Sequence, residues 1–209
     1  SLDRRQRQMC IRDRFNFGRA QFSDVTKEAG IDNIYDVYQG LFGGGVVAFD
    51  YNNDGYEDLF ITGGKSQDVL YKNNGDGTFE DVTKISGLLK ERIIVTTGVS
   101  SADINKDGYI DLFVTTIASQ DNKTKKKKTL SPNLIYINNG NGTFTDFSSK
   151  LGITKSNFST SSSFGDINAD GYPDLFVGNY FKNFYFEDSP FGTHNICLLY
   201  TSPSPRDRS

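Results

Sequence analysis

Three short loops of this sequence carry the same oxygen-bearing side chains at the same spacing. Each reads Asp-x-Asn-x-Asp-Gly-Tyr-x-Asp and runs directly into Leu-Phe and a β-branched residue; we name them Asp loops 1, 2 and 3. The side chains at positions one, three, five and nine can converge on one centre with the backbone carbonyl at position seven, because the glycine at position six lets the chain turn sharply. The three sets of candidate ligands are Asp50, Asn52, Asp54, Tyr56 and Asp58; Asp103, Asn105, Asp107, Tyr109 and Asp111; and Asp166, Asn168, Asp170, Tyr172 and Asp174.

Every candidate donor in the Asp loops is an oxygen, and no loop contains His or Cys. Oxygen donors select hard cations, and a site with this many of them suits Ca²⁺ better than Mg²⁺, which is reluctant to give up its water. The three carboxylates of a loop around one divalent ion leave a charge of about −1, which suits reversible binding. The Asp loops therefore predict three calcium sites.

Two other interpretations of the loops were weighed. EF-hand and dockerin loops begin with the same spacing, but they place a bidentate acid at position twelve and continue into a helix. Position twelve here is Ile61, Val114 or Val177, and the neighbouring residues favour a strand, which excludes that interpretation. The loops could also be Asx-turns that stabilise hairpins without metal. The repetition of every ligand position in three copies favours calcium.

The Asp loops belong to a larger repeat. Their first aspartates are 53 and 63 residues apart, and an insertion with a run of lysines at 121–129, which we expect to be a solvated loop, explains the longer spacing. A second motif, Asn-Asn-Gly-x-Gly-Thr-Phe, occurs within 70–83 and again within 135–148. Asn-Gly between alternating apolar segments is a strong hairpin signal, so we interpret this Asn-Gly turn as structural.

The repeat predicts an all-β fold. In the first copy we expect strands at roughly 45–50, 58–63, 68–73 and 78–83, with the Asp loop between the first two. Units of four antiparallel strands at this period indicate an incomplete β-propeller of about three blades. A β-solenoid is the alternative, although its repeats are usually shorter. The stretch Phe22–Thr26 resembles 79–83 and is expected to be a strand of a preceding or closing blade.

The two ends do not resemble the middle of the chain. The complementary strand of a back-translation of Met9 to Asp13, read in another frame, encodes Cys197 to Thr201. Such an inverted repeat resembles a sequencing adapter that was translated by accident, so we expect the ends to be non-native and to contact nothing. The predicted segments are 1–14 and 197–209 as adapter-derived tails, 15–42 as a strand plus linker, and 43–90, 91–152 and 153–196 as repeats 1, 2 and 3.

The composition of the chain excludes several classes of function. Without the ends, 16 basic and 23 acidic residues remain of the 23 and 26 in the whole chain, a net charge of −7 that argues against nucleic acid and fits cation binding. Both cysteines lie in the ends, so the repeats predict no disulfide, and no apolar run reaches the length of a membrane span. The one histidine, His194, is not expected to be catalytic, and no hydrolase, phosphate-binding or metalloprotease motif is present.

The Asp loop followed by Leu-Phe, in alternation with Asn-Asn-Gly-x-Gly-Thr-Phe, resembles the FG-GAP/VCBS repeats over about Phe22 to Tyr180. Such repeats are found in integrin α-subunit propellers and in secreted proteins of the ASPIC/UnbV and cartilage acidic protein group, which the segment Phe22–Ile31 also resembles. The resemblance implies a propeller, typically of seven blades, with Ca²⁺ in the loop between the first two strands of each blade. The Asn at position three, where integrin loops often carry Asp, implies slightly weaker binding.

These observations together predict a calcium-binding module, without catalysis of its own, that binds an unidentified protein or glycan. Modules with calcium affinities of about 10⁻⁴ to 10⁻³ M work outside the cytosol, so we expect an extracellular, cell-surface or periplasmic location. One alternative is an accessory part of a secreted enzyme such as a polysaccharide lyase. Another is a lectin in which the tyrosines at position seven form sugar platforms.

Overall fold

The computed structural model describes residues 11–14, 21–36, 44–89, 93–120, 131–150, 158–179 and 197–200. Within these ranges the chain forms thirteen β-strands and no helix. The predicted all-β class is therefore confirmed. The insertion at 121–129 and His194 lie outside the described residues.

Repeat 1 forms one antiparallel sheet with its four strands in chain order. They are β3 (Val46–Phe49), β4 (Asp58–Ile61), β5 (Val69–Asn73) and β6 (Phe79–Asp81). Asp loop 1 joins β3 to β4, and the Asn-Gly turn joins β5 to β6. The four strands predicted from the sequence are confirmed, each within about two residues of its expected ends.

Repeat 2 has the same order but longer inner strands. It consists of β7 (Ile93–Ala102), β8 (Asp111–Gln120), β9 (Leu134–Asn138) and β10 (Phe144–Asp146). The two ten-residue strands continue past the point where β3 and β4 end, and irregularities around Thr96 accommodate the extra length.

Repeat 3 pairs β11 (Ser159–Gly165) with β12 (Asp174–Asn179), and β13 (Cys197–Tyr200) completes a three-stranded sheet. The expectation that the ends contact nothing is wrong here, because 197–200 pairs with β12 along its whole length. The physical reason is that β12 presents an unpaired edge, and Cys-Leu-Leu-Tyr is an apolar segment suited to adding a strand to it. This pairing does not depend on where the segment originates, and its adapter origin stays a prediction.

The N-terminal end also forms a strand pair. Strand β1 (Ile11–Arg14) runs antiparallel to β2 (Gln21–Asp24), so the expectation of no contacts is wrong for residues 11–14 as well. Strand β2 coincides with the stretch that the sequence related to the fourth strand of repeat 1.

Apolar side chains on facing sheets form the core between repeats. The main cluster joins repeats 1 and 2 and includes Phe60, Leu70, Leu112 and Val114, all 0% exposed. A second cluster joins repeats 2 and 3 around Phe113 and Val177. The Leu-Phe-Ile/Val segments are therefore buried between neighbouring sheets, as the sequence predicts for repeats 1 and 2.

Two equivalent turns follow β2 and β6 in the described residues. The Ala29 N–H donates to Val25 O at 2.8 Å, and the Ser86 N–H donates to Val82 O at 2.9 Å in the equivalent turn. The carbonyl of Ala29 then accepts the N–H of Phe79 at 2.8 Å, as Ser86 does for the first residue of β10. Each turn is thereby fixed to the fourth strand of the following repeat.

Threonine hydroxyls bind the backbone of the first strand of the next repeat. Thr62 Oγ1 donates to Thr97 O at 2.8 Å, and Thr97 Oγ1 donates to Ser159 O at 2.8 Å. The backbones also approach closely, since a Cβ added at Gly98 would lie 2.7 Å from Thr160 O. The three repeats are thus stacked side by side with the Asp loops at corresponding ends of their sheets.

Candidate cation-binding loops

Asp50 closes Asp loop 1 with both of its carboxylate oxygens. They accept the backbone N–H groups of Asp54 at 3.0 Å and Gly55 at 2.7 Å. Asn52 Oδ1 also accepts the Asp54 N–H at 3.1 Å, and Asn52 Nδ2 donates to Asp54 Oδ2 at 2.9 Å. Asp54 Oδ1 in turn accepts the Tyr56 N–H at 3.0 Å. Positions one, three and five are therefore drawn together around the turn.

Asp loops 2 and 3 repeat this network bond for bond. The N–H at position five donates to Asp103 at 3.0 Å in loop 2 and to Asp166 at 3.1 Å in loop 3. The N–H at position six donates to the same carboxylates at 2.9 and 2.8 Å. The three loops thus share one conformation, although positions four and eight differ in all three and position two is Tyr in loop 1 and Ile in loops 2 and 3.

The shared conformation requires positive φ at two positions. Glycine occupies position six, with φ between 84° and 89°. Position four also lies in the left-handed region, where Asn53, Lys106 and Ala169 have φ of 57°, 61° and 56°. Asparagine accepts this conformation easily, whereas lysine and alanine adopt it at a cost. The loop network therefore determines the backbone in spite of local preference.

The aspartate at position nine occupies a different environment from the other loop carboxylates. Asp58 is 0% exposed and accepts the N–H of Tyr51 at 3.0 Å and of Asn73 at 2.8 Å. Asp111 does the same with Ile104 and Asn138, at 2.9 and 2.8 Å. This residue ties the start of the loop to the third strand of the sheet, a role that the sequence analysis missed because the partner strand is remote in the chain.

Burial and neighbouring charges shift the pKa values of the position-nine carboxylates. Burial raises the pKa of Asp111 to about 6, against hydrogen bonds from Asn138 and Ile104 that lower it, and the charges of Asp107 and Asp103 raise it further. The pKa of Asp58 is raised in the same way, first by burial. The loop carboxylates are thus close enough to repel one another.

The tyrosines at position seven of Asp loops 1 and 2 pack within their own repeat. The ring of Tyr56 covers Gly75 of the Asn-Gly turn, where an added Cβ would lie 2.7 Å from it, and Tyr109 covers Gly140 at 2.6 Å. The rings of Tyr56 and Tyr109 therefore lie on a turn of their own sheet. The reason is that the turn glycines leave room for the ring inside the same sheet.

Neighbouring loops also contact each other through position four. Asn53 Nδ2 donates to Gly108 O in loop 2 at 3.2 Å, and Lys106 Nζ lies 4.1 Å from the centre of the Tyr172 ring in loop 3. The three loops consequently form a continuous row.

The oxygens of each loop fit a hard cation by type and number. Three carboxylates and one amide oxygen are present, and a carboxylate oxygen that accepts one N–H keeps a further lone pair. In the arrangement seen here, no three acidic, His or Cys side chains of the described residues lie close enough together to hold a metal ion. The carboxylates face backbone N–H groups instead, so bound calcium would require them to rotate toward one centre.

The Asn-Gly turns provide an internal comparison. In repeat 1, Asp76 Oδ1 accepts the Thr78 N–H at 2.9 Å and the Thr78 hydroxyl at 2.6 Å. In repeat 2, Asn141 Oδ1 accepts the equivalent two groups of Thr143 at 3.1 and 2.6 Å. A neutral amide therefore performs the same capping as a carboxylate in this turn.

The fold and the loops define a repeat protein built from antiparallel β-units, two of them four-stranded in the described residues, each with one Asp loop. Residues 50–114 and 116–177 match the family model of the FG-GAP-like repeat. These segments cover more than half of the 209 residues, so the chain belongs to the FG-GAP-like repeat family, as the sequence motifs predicted.

The chain is also similar to cartilage acidic protein 1 of Xenopus tropicalis. The two are 32% identical over 90 residues, which is 43% of this chain and 13% of that protein. The aligned segment is thus a small part of the relative. In the part of the chain that the structure describes, no helix has the length and apolar character needed to cross a membrane.

Proposed function

We propose that this chain is a calcium-binding β-propeller module that works outside the cell and binds a protein or glycan without catalysing a reaction. The observation that carries the proposal is the surplus negative charge of the Asp loops. Positions one, five and nine are Asp in all three copies, although a neutral residue can accept backbone N–H groups, as Asn141 does in place of Asp76.

At position nine of Asp loops 1 and 2 the surplus charge is unfavourable unless a cation neutralises it. Like charges within one loop raise the pKa of Asp58 and Asp111, after the larger effect of burial. A calcium ion held by positions one, three, five and nine, with the carbonyl of position seven, would remove that repulsion and stabilise the connection between the first two strands.

The extracellular location follows from the expected affinity. Extracellular modules bind calcium at about 10⁻⁴ to 10⁻³ M, so such sites fill in millimolar calcium and stay empty at cytosolic concentrations. The similarity to a protein named for cartilage and the net negative charge of the repeats agree with this location. A propeller is the closed form that stacked four-stranded units with these contacts favour.

Thermal unfolding in calcium and in chelator tests the proposal. At millimolar calcium and a Kd of about 10⁻⁴ M, each site contributes roughly 1.4 kcal/mol, or about 4 kcal/mol for three. We therefore expect a chelator to lower the melting temperature by several degrees, and added calcium to restore it. A melting curve that is indifferent to chelator would mean that the Asp loops are structural turns.

A further inference from the structure

The Asn-Gly turn of repeat 2 contains a triplet that its counterpart in repeat 1 lacks. Residues 141–143 read Asn-Gly-Thr, whereas the equivalent residues 76–78 of repeat 1 read Asp-Gly-Thr. Asn-x-Ser/Thr, with a middle residue other than proline, is the acceptor pattern for N-linked oligosaccharide on surface loops of secreted proteins. An aspartate has no amide nitrogen, so the turn of repeat 1 offers no acceptor at this place.

Asn141 lies at the exposed tip of its turn, and its side chain is engaged only through the oxygen. Asn141 Oδ1 accepts the Thr143 N–H at 3.1 Å and the Thr143 hydroxyl at 2.6 Å. Within the described part of the chain, Asn141 Nδ2 makes no hydrogen bond. The nitrogen that an oligosaccharide would modify is therefore in solvent, while the triplet's hydroxyl is held beside the amide.

The other two asparagines of this turn differ from Asn141 in sequence and in contacts. Asn139 Nδ2 donates to Thr143 Oγ1 at 2.9 Å, and Asn139 Oδ1 accepts the Thr145 hydroxyl at 3.0 Å. Asn138 is 1% exposed. Neither residue has Ser or Thr two positions further along the chain. Pattern and geometry thus select Asn141 among the three.

The turn also leaves room for a bulky group beside Asn141. A Cβ added at the neighbouring Gly142 would meet nothing closer than the Tyr51 ring at 4.0 Å. At Gly140, on the other side of the turn, an added Cβ would lie 2.6 Å from the Tyr109 ring. The crowded side of the turn is therefore the one that packs on Asp loop 2, and Asn141 lies on the open side.

We propose that Asn141 is a site of N-linked glycosylation. Its Nδ2 forms a bond to the anomeric carbon of an oligosaccharide that is supplied as a lipid-linked diphosphate. The bond between that carbon and the diphosphate oxygen breaks, the lipid diphosphate leaves, and Nδ2 gives up one proton. The attached oligosaccharide would cover the edge of repeat 2 beside Asp loop 2, so a protein partner would bind another surface. The proposal rests on the extracellular location proposed above and does not require calcium in the Asp loops.

Secretion of the 209-residue chain from a eukaryotic cell, behind a cleavable leader, tests the site. Peptide N-glycosidase in water labelled with heavy oxygen converts each glycosylated Asn to a labelled Asp, which mass spectrometry of peptides locates. The label must be assigned residue by residue, because 122–124 and 157–159 have the same pattern, with Asn122 and Asn157 outside the described residues. We expect most molecules of the wild-type chain to carry the label at residue 141.

The turn of repeat 1 supplies matched variants. Asn141→Asp should lose the label at residue 141 and keep the fold, because Asp76 makes the same two bonds to Thr78 in repeat 1. Thr143→Ser should keep the label, whereas Thr143→Val should lose it. Asp76→Asn should gain a label at residue 76, which shows that the cell modifies a turn of this shape.

A secreted wild-type chain without the label at residue 141 would overturn the proposal. A label found only in chain that the cell retains would overturn it too, since the site is proposed on the folded turn, as would a label that Thr143→Val keeps. A lack of calcium binding would leave these results unchanged, and an unlabelled Asn141 would leave the effect of chelator on melting unchanged. The two proposals therefore fail separately.

Discussion

The Asp loop and the Asn-Gly turn of one sheet are built from the same kind of side chain but use it differently. In the turn, Asp76 and its counterpart Asn141 accept the same two hydrogen bonds, so the capping does not require a charge. In the Asp loops, carboxylates stand at positions one, five and nine of every copy. The Asp and Asn residues of the turn therefore act through hydrogen bonds alone, whereas the constant carboxylates of the Asp loops indicate a role that needs negative charge.

The largest expected effect comes from neutralising position five in all three loops. The variant Asp54→Asn, Asp107→Asn, Asp170→Asn should lose most of the roughly 4 kcal/mol that millimolar calcium contributes. In chelator it should stay close to the wild type, because the reduced repulsion within each loop is offset by the loss of contacts such as the Asn52 hydrogen bond and the Lys72 ion pair, which lower the pKa of Asp54. Urea unfolding with and without calcium measures both quantities. Full calcium stabilisation of the triple variant would contradict the ligand assignment.

Alanine substitutions of glycine should have a smaller effect on stability and should show that the Asn-Gly turn is packed more tightly than the Asp loop. Gly140 in the turn and Gly108 in loop 2 have φ of 71° and 89°, so alanine at either position costs about 1–2 kcal/mol in the left-handed region. An added Cβ at Gly140 would also lie 2.6 Å from the Tyr109 ring, whereas nothing lies within 4 Å at Gly108. Gly140→Ala should therefore destabilise the chain by about 1 kcal/mol more than Gly108→Ala. Equal losses in chelator would refute the tighter packing of the turn.

The two elements should also respond differently to pH. Burial raises the pKa of Asp111 to about 6, so its contribution to stability is present below its unfolded pKa and is lost as the pH rises through about 6. In chelator, the stability of the wild type relative to Asp111→Asn should thus increase between pH 7 and pH 5, measured by urea unfolding. A difference that is independent of pH would contradict the buried, charge-repelled environment of Asp111.

Asp76 in the Asn-Gly turn has a pKa that is shifted in the opposite direction from that of Asp111. The hydroxyl and N–H of Thr78 lower the pKa of Asp76, so its contribution is lost only as the pH falls below the usual range of aspartate. The wild type and Asp76→Asn should therefore keep a constant difference between pH 7 and pH 5.

The smallest expected effect is that same substitution at neutral pH. Because Asn141 already makes both bonds in repeat 2, Asp76→Asn should change the free energy of unfolding by less than about 0.5 kcal/mol, in calcium or chelator alike. A calcium-dependent loss from this substitution would erase the distinction between loop and turn.

The sequence predicted most of repeat 1 because its strand ends coincide with local signals, the glycines of the Asp loop and of the Asn-Gly turn. It did not predict that β7 and β8 reach ten residues each, since their extension depends on pairing with each other and with repeat 3. The tails were expected to contact nothing, but an open edge at β12 accepts a strand whatever its origin.

Within the loops, the sequence identified the candidate ligands but not the hydrogen bonds that each of them makes. The hydrogen bond that the Asn73 N–H donates to Asp58 joins residues on different strands, so no local pattern reveals it.

Calorimetric titration of the 209-residue chain with Ca²⁺ tests the central claim most directly. The account predicts about three sites, and Asp54→Asn, Asp107→Asn and Asp170→Asn should each remove about one of them, whereas Asp76→Asn should remove none. An absence of binding heat at millimolar calcium, or an unchanged number of sites in all three loop variants, would show that the charge of the Asp loops does not serve calcium.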